Sequence, residues 1–228
     1  MVEYLSKRKF VKNKKVDPNE AKEYNSSVRT GTELNHLFIF LTSISLIMFM
    51  KIINVPHHID CTYKLCERGF PLIVFGISDI MGQFFPIAFS VISHEQEQDF
   101  TKFFQTLIAF CLELVKDISP TIKYLMMDAC GASFNAANLS LGPNIKILMC
   151  YFHVLKNVKE HLKGVDEKIK NEIVADINYM HFSINNFEFE TCKFKIYKKW
   201  ETKFGLVNFR EYFDTQWVLN PKFNKWVS

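Results

Sequence analysis

Two aspartates are placed where carboxylates do chemistry. Asp60 is a charge in the middle of an alternating stretch, with Ile59, Cys61, Tyr63 and Leu65 on one side and Asp60, Thr62 and Lys64 on the other. Asp128 closes an apolar run and precedes a glycine-containing turn. Each has a plain structural reading alone: an outward-facing strand residue for Asp60, and a helix cap or Asx turn for Asp128. Together they matter more. Two adjacent carboxylates repel unless cations bridge them, and hard oxygen donors suit Mg²⁺ or Mn²⁺. Two such ions stabilise the attacking and leaving oxygens of phosphoryl transfer. A third element is Cys150 and His153, a CxxH spacing that is half of a zinc pattern without a second half at the usual distance. By itself it reads as a buried thiol beside a helix-capping histidine.

These residues need elements to hold them. Alternation predicts a strand over 57–65, and Gly69 marks a turn. Residues 70–78 (FPLIVFGIS) and 84–93 (FFPIAFSVIS) are apolar strands separated by the turn at 79–82. Connections this short imply an antiparallel meander. Phe100, Phe103, Phe104, Leu107, Ile108, Cys111, Leu114 and Val115 recur at helical spacing, with Glu95, Glu97 and Asp99 where carboxylates favour a helix N-terminus. Short apolar runs at 122–127 and 145–149 read as strands buried on both faces, separated by a small helix at 131–141. Residues 153–163 read as a helix, and the rest of the chain as further helices rich in Phe, Lys and Trp. Three antiparallel strands, then two added through helical crossovers, form a mixed five-stranded sheet of ribonuclease H-like α/β order. In that order the first and fourth strands are neighbours, which brings Asp60 beside Asp128.

Composition sets the bounds. The chain has 228 residues, 48% hydrophobic and 23% charged, with 23 phenylalanines. These values exclude a disordered or fibrous chain and point to an aromatic-rich core. Residues 1–30 carry 8 Lys/Arg against 4 Asp/Glu, and residues 31–150 carry 7 against 10. An acidic centre beside basic flanks suits a metal site that faces a polyanion, although solvated helix faces give the same pattern. The six cysteines form no CxxC and several lie in apolar runs, so they read as thiols of a reducing compartment. The first 30 residues carry no secretory signal, and the basic cluster from Lys7 to Lys15 reads as a nuclear localisation or phosphate-binding patch, or as a solvated terminus. Residues 37–50 hold no charge, and Ile52, Ile53 and Val55 extend that character. The run is short for a membrane span, so the expectation is a buried helix or strand packed on the core.

The segments HIDCTYKL (58–65), FPLIVFGISD (70–79), FPIA (85–88) with Glu95 before a helix, MDA (127–129) and CYFHVLKN (150–157) follow one another in order. This series resembles the transposase domain of Mutator-like elements, over 57–163 well and loosely to 228. The resemblance implies a ribonuclease H-like core with an Asp-Asp-Glu triad holding two divalent ions, Mg²⁺ or Mn²⁺. Asp60 resembles the first catalytic aspartate and Asp128 the second. Cys150 and His153 resemble the family's CxxH signature, which supports the active site and its DNA. The family's third acid follows a helical insertion and a Trp-containing stretch that residues 209–226 resemble. No glutamate in 164–228 has the expected surroundings, so none is assigned.

The organisation expected is a basic lead and hydrophobic segment at 1–56, a transposase core at 57–163, and a partial helical insertion at 164–228 that ends before the third acid. The function expected is that of a truncated Mutator-type transposase. Its class hydrolyses a DNA phosphodiester and joins the 3′-hydroxyl to target DNA, and this chain is expected to be inactive alone. Lys156, Lys159 and Lys163 are the candidate phosphate contacts, each also readable as part of a solvated helix face. The partners would be transposon ends, target DNA and a second copy of the chain, with no small-molecule cofactor, in the nucleus. The alternatives are a decayed or domesticated remnant that binds DNA or protein without catalysis, and a membrane-anchored protein using residues 37–53.

Overall fold

The structure is a computed structural model that describes residues 37–51, 55–63, 65, 69–114 and 122–226. The basic lead at 1–30 and residues 52–54 lie outside the described residues. The chain folds as two compact units, 1–147 and 148–228.

The first unit is built on a sheet. Its strands are β1 (Phe38–Thr42), β2 (His57–Thr62), β3 (Leu72–Ser78), β4 (Phe84–Ile92), β5 (Tyr124–Met127) and β6 (Lys146–Met149), in the order β1-β4-β3-β2-β5-β6. The pairs β1/β4, β4/β3 and β3/β2 are antiparallel, and β2/β5 is parallel. The α/β class and the meander follow the sequence reading. The count of five strands is corrected to six, because the uncharged run at 37–50 supplies a further strand. Phe38 pairs with Ile92 and Thr42 with Ala88, so β1 covers the edge that β4 would otherwise leave open. Ser43 then ends the strand: its side chain accepts from Leu46 N and caps the short helix α1 (Ile44–Ile47). Phe38, Phe40, Ile47 and Met50 are buried, and no helix among the described residues is long and apolar enough to cross a membrane.

Local chemistry explains the hairpin between β3 and β4. The Asp79 carboxylate accepts from Met81 N and Gln83 N, and Gly82 takes a φ of 78°. The ladder shifts register at Phe75/Gly76, and only glycine fits there: a Cβ on Gly76 would lie 2.2 Å from the Phe85 carbonyl oxygen. Helix α2 (Glu97–Leu114) lays Phe100, Phe103, Phe104, Leu107 and Cys111 onto this sheet, as its periodicity predicts. Phe103 meets Phe40 at 5.5 Å and Phe75 at 5.9 Å between ring centroids. Helix α3 (Gly131–Leu141) packs beside α2, tied by Asn135 Nδ2 donating to Glu97 at 3.0 Å.

His57 opens β2 inside this core, 2% exposed and stacked on Phe75. Burial, helped by the neighbouring His58 and opposed by a hydrogen bond to the Val55 backbone, pushes its pKa down to about 4. The unfolded chain therefore takes up this proton at a higher pH than the folded chain does. Stability should be intact above pH 6.5 and should fall between pH 6.5 and about 4, by up to about 3 kcal/mol. Urea titrations of the intact chain at pH 7 and 4.5, beside His57→Phe, check this. The variant should lose less stability across that window, and an equal loss in both would contradict it.

The second unit is helical: α4 (Tyr151–His161), α5 (Glu167–His181), α6 (Asn186–Thr202) and α7 (Val207–Phe213), then a π-helical turn over Asp214–Val218. Asp166 and Asn185 cap α5 and α6 by accepting from Lys168 N and Glu188 N. Trp200, Phe213, Trp217 and Trp226 are buried at its centre.

Candidate functional site

Asp60 and Asp128 meet through strand register. In the parallel pair, His57 lies opposite Leu125 and His58 opposite Met126. Two residues further along both strands stand Asp60, still in β2, and Asp128, one residue past β5. The side-chain period of a strand is two, so each aspartate shares a face with the pair before it. Adjacent strands lie about 4.8 Å apart, which sets the two aspartates side by side at the carboxyl end of β5, where open α/β sheets collect ligands.

Asp60 and Asp128 line one small cleft with Cys61, Glu95, Cys130 and Ser133. Its room is about 10 Å³, close to that of one water-sized body. Glu95 comes from the connection between β4 and α2, half-buried, and is the acid that the sequence reading left unassigned to the site. Its effect is visible on its neighbours. The Cys61 thiol is pushed up, first by burial, then by a hydrogen bond to and the charge of Glu95, then by the charges of Asp60 and Asp128. The Tyr63 hydroxyl is pushed up chiefly by its hydrogen bond to Glu95. Three carboxylates thus act on one thiol.

The donor chemistry can be tested against a divalent ion. All three acids offer hard oxygens, the type Mg²⁺ and Mn²⁺ take. Among the described residues no group of three or more His, Cys, Asp or Glu side chains is arranged to hold a metal by itself. Mg²⁺ ordinarily keeps several waters and is bound by one or two carboxylates plus substrate phosphates. Asp60 and Asp128 supply the two carboxylates that this habit calls for.

Cys150 and His153 belong to the second unit. The helix predicted over 153–163 runs from Tyr151 to His161, which makes Cys150 its N-cap. Burial raises the Cys150 thiol, but hydrogen bonds from the His153 side chain and from the His153 and Phe152 backbone outweigh it, and the net shift is downward. The CxxH spacing therefore builds a thiol–imidazole pair on the first turn of α4. Alkylation by iodoacetamide should set in at lower pH at Cys150 than at an ordinary thiol, and His153→Ala should move that onset upward. Peptide mapping across a pH series reads it, and an unchanged profile in the variant would contradict the pairing. Lys156 and Lys159 are exposed on α4. Lys163 lies past the helix end and pairs with Glu160.

Residues 57–157 match the family model of the MULE transposase domain. No curated protein matches the chain.

Proposed function

Residues 57–157 of this chain are a MULE transposase domain, and from that premise we propose that the Asp60–Asp128 cleft is its DNA phosphodiester site. The family acts on DNA and uses divalent metal in general. The observation that carries the assignment to this cleft is the shared register of β2 and β5, which sets both aspartates on one face at the carboxyl end of β5.

In this reading Asp60 and Asp128 hold divalent metal, and bound metal supplies an activated water and stabilises the leaving oxygen. Glu95 serves as the third carboxylate. The connection before α2 carries it, and its carboxylate accepts hydrogen bonds from Cys61 and Tyr63. Cys150 and His153 order the start of α4, and Lys156, Lys159 and Lys163 on and after that helix contact phosphates. The working core then runs over residues 57–163.

Fluorescence anisotropy with a labelled duplex tests the proposal. Carboxylates repel phosphate until a cation intervenes, so binding should strengthen with Mn²⁺. Binding should weaken as salt rises, because each neutralised phosphate releases counterions. The Asp60→Ala/Asp128→Ala chain should lose the Mn²⁺ response and keep the salt response. Binding indifferent to Mn²⁺ in the unmodified chain would overturn the assignment.

A further inference from the structure

The second unit contains a cavity of about 320 Å³ at the α5–α6 corner, at the lower end of the range for small-molecule sites. Its lining is unusual for a protein-docking groove. Three carboxamides, Asn185, Asn186 and Asn224, share it with Glu190 and with the aromatic rings of Phe189 and Trp217. Asn185 Oδ1 accepts from Glu188 N, so the donor end of that amide is the one left for a guest. Glu190 would repel an anionic guest, but Lys193 pairs with it at 2.8 Å and also lies 5.5 Å from the Phe189 ring centroid. Trp226 backs the site, meeting Phe189 edge-on at 6.3 Å.

Carboxamides offer a donor and an acceptor side by side, the pattern that base edges present. Aromatic walls accept the flat faces of bases whatever their sequence. Next to the cavity, Phe182 is 70% exposed and Phe187 82% exposed, so the corner also shows aromatic faces to solvent. Lys222 and Lys225, both exposed, lie on either side of Asn224 in the chain.

We propose that this cavity takes an unpaired base of a DNA strand, with the amides reading its edge and Phe189 and Trp217 lining its faces. The proposal rests on the reading of this chain as a DNA-acting protein, and it concerns residues that the phosphodiester site does not use. An extruded or single-stranded base is the suitable guest, because a paired base shows neither its full edge nor its faces.

The test uses the full chain with a single-stranded oligonucleotide carrying 5-iodouracil and with a blunt duplex of the same sequence. Irradiation should cross-link the single strand within 182–190 or 217–225. Asn186→Leu/Asn224→Leu should weaken single-strand binding about tenfold and leave duplex binding unchanged. Cross-links elsewhere, or single-strand affinity unchanged in the variant, would overturn the pocket assignment while leaving the phosphodiester site standing. A chain that binds neither DNA would overturn both. A Phe182→Ala/Phe187→Ala variant that changes self-association without changing single-strand binding would assign the corner to a second copy of the chain instead.

Discussion

An Asp60→Asn/Asp128→Asn chain is expected to bind Mn²⁺ at least about 100-fold more weakly than the unmodified chain. Partners one shell removed from a metal already cost 10–100-fold when altered, so its direct ligands should cost no less. The change keeps shape and removes two negative charges from one small cleft. Asparagine replaces aspartate at nearly equal volume, so the metal-free variant should stay close to the parent in stability. Electron paramagnetic resonance of free Mn²⁺ gives the affinity, and urea unfolding gives the stability. Weak Mn²⁺ binding together with lowered stability would indicate a damaged fold rather than a lost ligand set, and unchanged affinity would contradict the site.

The second large effect falls on the helical unit. Trp200 is fully buried, and its ring meets Phe209 at 5.2 Å, Phe213 at 5.5 Å and Tyr197 at 5.5 Å. Its Nε1–H donates to Asp176 at 2.9 Å, and the same carboxylate accepts from Lys199 at 2.6 Å. Trp200→Ala is expected to destabilise this unit by about 3–5 kcal/mol, through lost burial and the cavity left behind. Trp200→Phe should cost less from packing but still leaves Asp176 with one hydrogen bond fewer, about 1–3 kcal/mol. Urea unfolding followed by far-ultraviolet circular dichroism measures both. A loss below about 1 kcal/mol for the alanine variant would contradict the central place given to this ring.

The aspartate pair was legible because strand parity is a sequence property. Once 57–62 and 124–127 are strands with a parallel neighbour relation, residues at equal offsets share a face. The α3 helix was equally legible, bounded by Gly131 and by the Gly142-Pro143 break. Two features were not. The run from Leu37 to Met50 has no charge and no clear period, and short apolar runs do not separate strand from helix. Ser43, a capping residue in the middle of the run, was the signal that divides it into β1 and α1. In sequence Glu95 has the place of a charge favouring the α2 N-terminus. Its place in the cleft depends on how the β4–α2 connection folds back toward β2, a tertiary fact that no local pattern encodes. The traces in the sequence were a carboxylate three residues past β4 and its place in the family-like series.

In the proposed site Asp60 and Asp128 hold one divalent ion in the cleft that Glu95 also lines. Replacing Mg²⁺ by Fe²⁺ and adding ascorbate and peroxide generates hydroxyl radicals at the metal, which cut the polypeptide within a few ångströms. The expected cuts are near residues 60, 95 and 128, competed away by Mg²⁺ and absent from the Asp60→Asn/Asp128→Asn chain. Cuts confined to other segments, or the same three cuts persisting in that variant, would contradict the claim.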